Sequence, residues 1–233
     1  MLDILISRLS ALGLPADPEK ARALAAFHEI LMEANARMNL TRVPEDINEA
    51  VDRNYLDSLS ALPLLKGVRN CVDVGSGAGF PGVPLSIYMP ETRFLLMDSQ
   101  AKRVGFLKRA IGALKLDAEA TALRAEDAGV GGLRESFDAA VSRAVAPMNA
   151  LAELMLPLVA VGGRMLAWKG PGVAEELDGA RAAIELLGGR VEQMFPVAIP
   201  GRDWAHNIVV VEKIAPTPGK YPRRAGVPEK RPI

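Results

Sequence analysis

The sequence is poor in the residues that several kinds of site require. It has one cysteine, Cys71, so no internal disulfide can form and a reducing compartment is the simpler expectation. Cys71 opens the apolar run Cys71-Val72-Asp73-Val74 and reads as a small core residue rather than a nucleophile. Only two histidines are present, His28 and His206. Neither has triad-like surroundings, and no Cys/His cluster has the spacing of a zinc site, so no metal is expected. Net charge is also lacking: 28 Lys+Arg balance 28 Asp+Glu. Composition therefore gives no warrant for nucleic-acid binding, and any basic footprint has to be local. No apolar run approaches the length of a membrane span. Residues 1–13 contain an acid, Asp3, and no basic leader, which suits a short amphipathic helix in a soluble, cytoplasmic protein better than a signal peptide.

What is present is an ordinary globular composition, 49% hydrophobic and 24% charged, in a 233-residue chain long enough for one well-buried domain with an appendage or two small domains. Leu2, Leu5, Leu9 and Leu12 recur at helical spacing before Gly13, and Asp17-Pro18 reads as an N-cap and first helical position for a helix to about Ala36. A further helical stretch is expected from Glu45 to Leu65, completing a helical extension over 1–66. From Asn70 short apolar segments alternate with helical ones. The strand candidates 70–74, 93–98, 119–123, 137–142 and 163–168 imply a parallel sheet covered on both faces. Segments 190–198 and 206–213 have no helix between them and require an antiparallel hairpin, which ends a domain spanning 67–214. The last segment, 215–233, reads as a Pro-rich basic tail without periodicity.

The stretch Asp73-Val-Gly-Ser-Gly-Ala-Gly-Phe-Pro-Gly82 follows a buried strand and opens a helix. Its glycines, Gly75, Gly77, Gly79 and Gly82, permit positive φ and close approach of a ligand to the backbone, and the helix amides can take a negative group. Residues 77–82 also satisfy GxGxxG, so a dinucleotide has to be considered. Asp73 would repel a pyrophosphate but pair with an ammonium, and Pro81 lacks an amide a pyrophosphate would use. A ligand with an amino-acid end, such as S-adenosylmethionine, fits better. Asp98 closes the next strand, where a carboxylate can take both ribose hydroxyls of either cofactor type or cap the helix that follows. Ala125 and Glu126 follow the third strand and could border an adenine. Arg143 follows the fourth, at the mouth of the sheet, with a structural ion pair as the plainer alternative.

Taken together, "MNLTRV" (38–43), "LDSL" (56–59), "DVGSGAGFPGVPLSI" (73–87), "LMDSQAKRVGFL" (96–107), "SRAVAP" (142–147) and "AWKG" (167–170) resemble the bacterial 16S rRNA guanine-N7 methyltransferases, the glucose-inhibited-division protein B family. The resemblance implies a Rossmann-like α/β methyltransferase with a mostly parallel sheet, a C-terminal antiparallel hairpin and an N-terminal helical extension. It implies S-adenosylmethionine as cofactor and, as substrate, one guanine of the 530 loop region in 16S rRNA, free or in a small-subunit particle. By motif, Gly75 and Phe80 would contact the cofactor with Gly77 and Gly79 beside them, Asp98 would hold the ribose, Ala125 and Glu126 would flank adenine, and Arg143 would border the transfer site as the catalytic residue. Asn54 stands where the family's "HxLDS" pattern leads one to expect histidine, so only a polar hydrogen-bonding role carries over there.

Guanine N7 has an exposed lone pair at neutral pH, so transfer needs no general base and depends on positioning and exclusion of water. RNA contacts are sought in local charge. Lys102, Arg103 and Arg109, with Phe106 among them, are expected on the outer faces of the helix after Asp98, whose core stripe reads Val104, Leu107, Ile111 and Leu114. Lys169 could face the same mouth, and Arg223 and Arg224 in the tail could clamp phosphates, their hold weakening with salt. A monomer is expected. A methyltransferase of small molecules or proteins would share the glycine loop without the basic surfaces. A nicotinamide oxidoreductase would need a parallel last strand.

Overall fold

A computed structural model describes residues 1–143 and 145–233 of the chain. Seven strands form one sheet: β1 (Asn70–Val74), β2 (Arg93–Met97), β3 (Ala118–Thr121), β4 (Phe137–Arg143), β5 (Val159–Lys169), β6 (Gly189–Val197) and β7 (His206–Lys213). Their order is β3-β2-β1-β4-β5-β7-β6. The first five are parallel, and β7 lies antiparallel between β5 and β6. The expected terminal hairpin is therefore present, inserted into the sheet edge with β7 antiparallel to β5 rather than added as a parallel strand. β5 starts ahead of the expected residue 163, because the strand passes through Gly162 and Gly163 with a register shift against β4 instead of breaking there.

Alternating side chains of the inner strands serve two cores, one on each face. Cys71, Phe94, Leu96, Ala139, Val141 and Leu166 point to one; Val72, Met97, Ala140, Met165 and Ala167 point to the other. That two-sided burial is why these strands read as apolar runs rather than as half-polar ones. Cys71 is fully buried, and burial pushes its thiol well above the usual range.

The first core is roofed by α1 (Leu2–Ala11) and α2 (Pro18–Met38) together with α5 (Gly82–Tyr88) and α6 (Ala101–Leu114). Asp17 caps α2, accepting from the Glu19 amide at 2.8 Å, with Pro18 at its first position. Leu5, Leu9, Leu24 and Phe27 share one core with Phe80, Phe106 and Ile208, so the N-terminal helices are part of the same folded body as the sheet. The expected helix over 45–65 is interrupted. α3 (Ile47–Ala50) widens into a π turn (Val51–Leu56), followed by α4 (Asp57–Leu59) and a 3₁₀ turn (Leu62–Leu65) that contains Pro63. On the other face lie α7 (Ala125–Val130), α8 (Met148–Met155) and α9 (Val173–Leu186).

The last segment is folded down on this second face instead of trailing free. Tyr221 is buried in the core, the Arg134 guanidinium donates to the carbonyls of Tyr221 and Thr217, and the short α10 (Val227–Lys230) closes the chain. Lys213 is buried at the end of β7 beside the tail, donating to the Leu156 carbonyl, and burial lowers its ammonium to about 8. No helix among the described residues is long and apolar enough to cross a membrane.

The strand order reverses between β1 and β4. In open α/β sheets a crevice forms outside the carboxyl ends of the strands at such a reversal. The glycine loop leaves β1 and Arg143 ends β4, so both stand at that crevice.

Candidate active site

Three cavities run into one another along the carboxyl edge of the sheet. The smallest, about 80 Å3, is walled by Val74, Met97, Leu123, Ala125, Glu126 and Glu229. The next, about 370 Å3, is lined by the loop Gly75, Ser76, Gly77 and Ala78 together with Phe80 and Arg103. Gly75, Asp98, Ser99 and Val145 line both, so the two are halves of one groove. A third cavity of about 280 Å3 lies beyond it, and Thr41 and Arg143 are walls of both this cleft and the groove.

The groove is built by local chain geometry. Gly75 and Gly77 have φ of +75° and +55°, angles that side-chain-bearing residues rarely adopt. A Cβ on Gly75 would strike the Val145 side chain, whereas one on Gly77, with only the Gly75 carbonyl at 3.8 Å, would stand in open space. Asp98 braces the loop. Its Oδ2 accepts from the Gly77 amide at 3.0 Å and its Oδ1 from the Gln100 amide at 2.8 Å at the start of α6. Loop latch and helix-end acceptor are thus combined in one carboxylate that also faces both halves of the groove.

Two of the expected cofactor residues are placed differently. Asp73 is fully buried and lines none of the three cavities. Its Oδ2 accepts from the Gly82 amide at 3.0 Å, and its Oδ1 is buried without a partner among the described residues. It ties down the start of α5 from beneath the loop, because a residue before the loop on this face of β1 points into the core. Burial raises its carboxyl to about 7, against the pull of the Ser76 and Gly82 hydrogen bonds. Gly79 also faces inward: a Cβ there would meet Val83 at 2.8 Å and Phe27 at 3.0 Å, so it makes room for α2 rather than for a ligand. Glu126 lines the smallest cavity, and its Oε1 also accepts from the Gly226 amide of the tail at 2.7 Å, so it anchors that segment as well. Gly75, Gly77, Phe80, Asp98, Ala125 and Glu126 line the groove.

The third cavity gathers distant residues. Arg143 donates to Asp57 Oδ2 and to the Arg53 carbonyl, both at 3.0 Å, and its guanidinium stands 5.1 Å from the centre of the Phe80 ring. Asp57 Oδ1 is 3.0 Å from His206 Nδ1, and the Asp57 carbonyl accepts from the Trp168 indole at 2.9 Å. Asp57 is 2% exposed, so this carboxylate is a buried hub between the Arg143 guanidinium and the His206 imidazole. Sequence reading overlooked it and His206 alike, because they are 149 residues apart in the chain. The π turn is the local device that sets Arg53, Asn54 and Asp57 against β4 and β7, and such widened turns recur at functional sites. Beside the cleft, Trp204 stacks on His206, with Arg53 at 4.5 Å and Arg202 at 5.2 Å from its ring centre.

The expected RNA-binding residues divide. Lys102 and Arg109 are exposed on α6. Phe106 is not: it is fully buried and packs at 6.4 Å from the Phe27 ring, because α2 covers a face of α6 that its own periodicity leaves open. An aromatic among cations does exist, but it is Trp204. Arg103 turns toward the groove, 3.4 Å from Asp98 Oδ2. Lys169 lines the third cavity with its ammonium held at 2.7 Å by both Glu176 and the Ala146 carbonyl. Arg223 forks onto the buried Glu153 carboxylate and is an anchor of the tail, not a free phosphate clamp; Arg224 is exposed. Among the described residues no group of three or more His, Cys, Asp or Glu could hold a metal ion.

The chain is similar to known proteins in sequence and in fold. The family described as "rRNA small subunit methyltransferase G" matches residues 20–203. The ribosomal RNA small subunit methyltransferase G of Alkaliphilus metalliredigens is 43% identical over 95% of this chain and 94% of its own length. That of Clostridium tetani is 40% identical over 99% and 98%. Among solved structures, a mutein of the branched-chain polyamine synthase of Thermus thermophilus superposes with a TM-score of 0.59 at 14% identity, over 84% of this chain and 65% of its own. A TehB-like SAM-dependent methyltransferase of Corynebacterium glutamicum does so at 0.52 and 17%, over 80% and 98%. These structural likenesses are likenesses of fold.

Proposed function

The chain belongs to the rRNA small subunit methyltransferase G family, and from that membership and the joined clefts we propose that it transfers a methyl group from S-adenosylmethionine to N7 of one guanine in the 530 loop region of 16S rRNA. The observation that carries this reading is the junction at Arg143, where a groove suited to the cofactor opens into a cleft rimmed by cations. The groove fits an adenosyl group: it has an apolar end beside Met97, Leu123 and Ala125, a carboxylate at the end of β2, and a glycine backbone whose open side faces the cavity.

When bound, S-adenosylmethionine supplies a methyl group activated by its sulfonium charge. The residues that would hold it are Gly75, Ser76 and Gly77 through their backbone, Asp98 at the ribose, and Ala125 with Leu123 at the adenine. N7 needs no deprotonation, so the chain's task is placement. Arg143 is suited to that task because Asp57, the Arg53 carbonyl and the Phe80 ring fix it on three sides. Arg42, Arg53, Arg202 and Trp204 around the second cleft, with Lys102 and Arg109 along α6, form the surface that would hold phosphates and stack a neighbouring base.

Tritium transfer from labelled S-adenosylmethionine to small-subunit particles that lack this modification, followed by mapping of the methylated base, tests the reading. One labelled guanine carrying its methyl at N7 is expected. Label on another atom, or on protein, would refute it.

A further inference from the structure

The second cleft contains one polar group that its own fold leaves unmatched. Asn54 is a wall residue, 5% exposed, and its Nδ2 is buried without a hydrogen-bond partner among the described residues. Natural folds leave few buried donors unpaired, and those they leave call for an explanation. Nothing in the wall relieves it. The Asn54 carbonyl already accepts from the Ser58 hydroxyl at 2.6 Å, and Asp57, the only carboxylate among the lining residues, is engaged by Arg143 and His206. The other charged side chains of the wall, Arg42, Arg53, Arg143 and Lys169, are donors. The cleft therefore offers hydrogens and calls for acceptors.

Purines differ on this point. The edge of guanine that bears N7 carries two acceptors, N7 and O6, whereas the same edge of adenine pairs N7 with the N6 amino donor. A wall of donors suits the first and opposes the second. We propose that Asn54 is the residue that selects guanine, its Nδ2 donating to O6 of the base in the second cleft. The proposal rests on the reading of the chain as a guanine-N7 methyltransferase.

The test uses small-subunit particles reconstituted with either guanine or 2-aminopurine, which lacks O6, at the methylated position. For the wild type, kcat/KM should fall about tenfold or more on losing O6. Asn54→Leu should fall by a similar factor with guanine and lose little more with 2-aminopurine, while Asn54→His keeps most of the activity and the discrimination. Asn54→Asp, the same shape with the donor exchanged for an acceptor, should fall further than Asn54→Leu and carries the test if the leucine variant unfolds. All should bind S-adenosylhomocysteine like the wild type. A leucine or aspartate variant that still separates guanine from 2-aminopurine as well as the wild type overturns the role of Asn54 alone. A wild type that leaves the guanine particle unlabelled overturns the proposed function itself.

Discussion

The cofactor groove and the second cleft meet at Arg143, yet they are made in opposite ways. The groove comes mainly from the loops after β1, β2 and β3, with Leu40, Thr41, Leu154 and Glu229 added from elsewhere in the chain. The cleft draws on residues 41–42, the π turn, the ends of β4 and β5, and the start of β7. Backbone conformation defines the first, and buried charge pairing defines the second. A backbone-built site tolerates little change at its glycines and much at its neighbours. A site built from paired charges depends on its hub.

The largest effect is expected behind the groove, where the tail props its adenine end. Arg223→Ala leaves the fully buried Glu153 carboxylate without its cation, a change that costs about 3–5 kcal/mol when one partner of a buried pair is removed. Urea unfolding should show it. A variant of normal stability but weakened RNA binding would return Arg223 to the RNA surface and separate the tail from the groove.

Gly77→Val sharpens the backbone side of the contrast. It forces a branched residue to φ +55° and puts its methyls into the open groove. Calorimetry with S-adenosylhomocysteine should show affinity reduced by about 100-fold or more, roughly 3 kcal/mol. Near-normal binding would mean that the loop is not the cradle.

Asp57→Asn tests the other side. Removing the charge between Arg143 and His206 should lower methyl transfer to particles by about 10- to 100-fold, the scale of a lost charge-assisted bond, while cofactor affinity stays within about a factor of two. If cofactor affinity falls in step with transfer, the two sites are one, and the comparison fails.

The smallest effect concerns Asp73, the titrating group beneath the groove. Its carboxyl lies near 7 in the folded chain, against 3.8 for a free aspartate, because burial disfavours its charge. The folded state therefore binds more protons between those values, and the stability it contributes is full at the acid end and is lost as pH rises through about 7. Asp73→Asn should flatten that part of the profile of melting temperature against pH. An unchanged slope would show that Asp73 is ionised in the fold.

The elements of the sheet were legible in the sequence because apolar runs, glycines and prolines act over a few residues. The alternation from Asn70 onward, the Asp17 cap, the terminal hairpin and the glycine loop with Asp98 all belong to this class. Periodicity also identified Val104 and Leu107 as core, but could not show that α2 covers Phe106, since a helix records its own faces and not which of them a distant helix will bury. The inward turns of Asp73 and Gly79 are decided by packing against α5 and α2. Likewise, a count of charges cannot tell a free arginine from one spent on a buried glutamate. Arg223 and Lys169 are engaged within the fold, while Trp204 stands among cations in a loop that read as a plain connector. By itself the sequence determined the fold and the glycine loop, which depend on neighbours along the chain. Only the tertiary structure decided the second cleft, because Asn54, Asp57, Arg143 and His206 come together solely through the pairing of β4, β5 and β7 and the docking of the N-terminal helices against them.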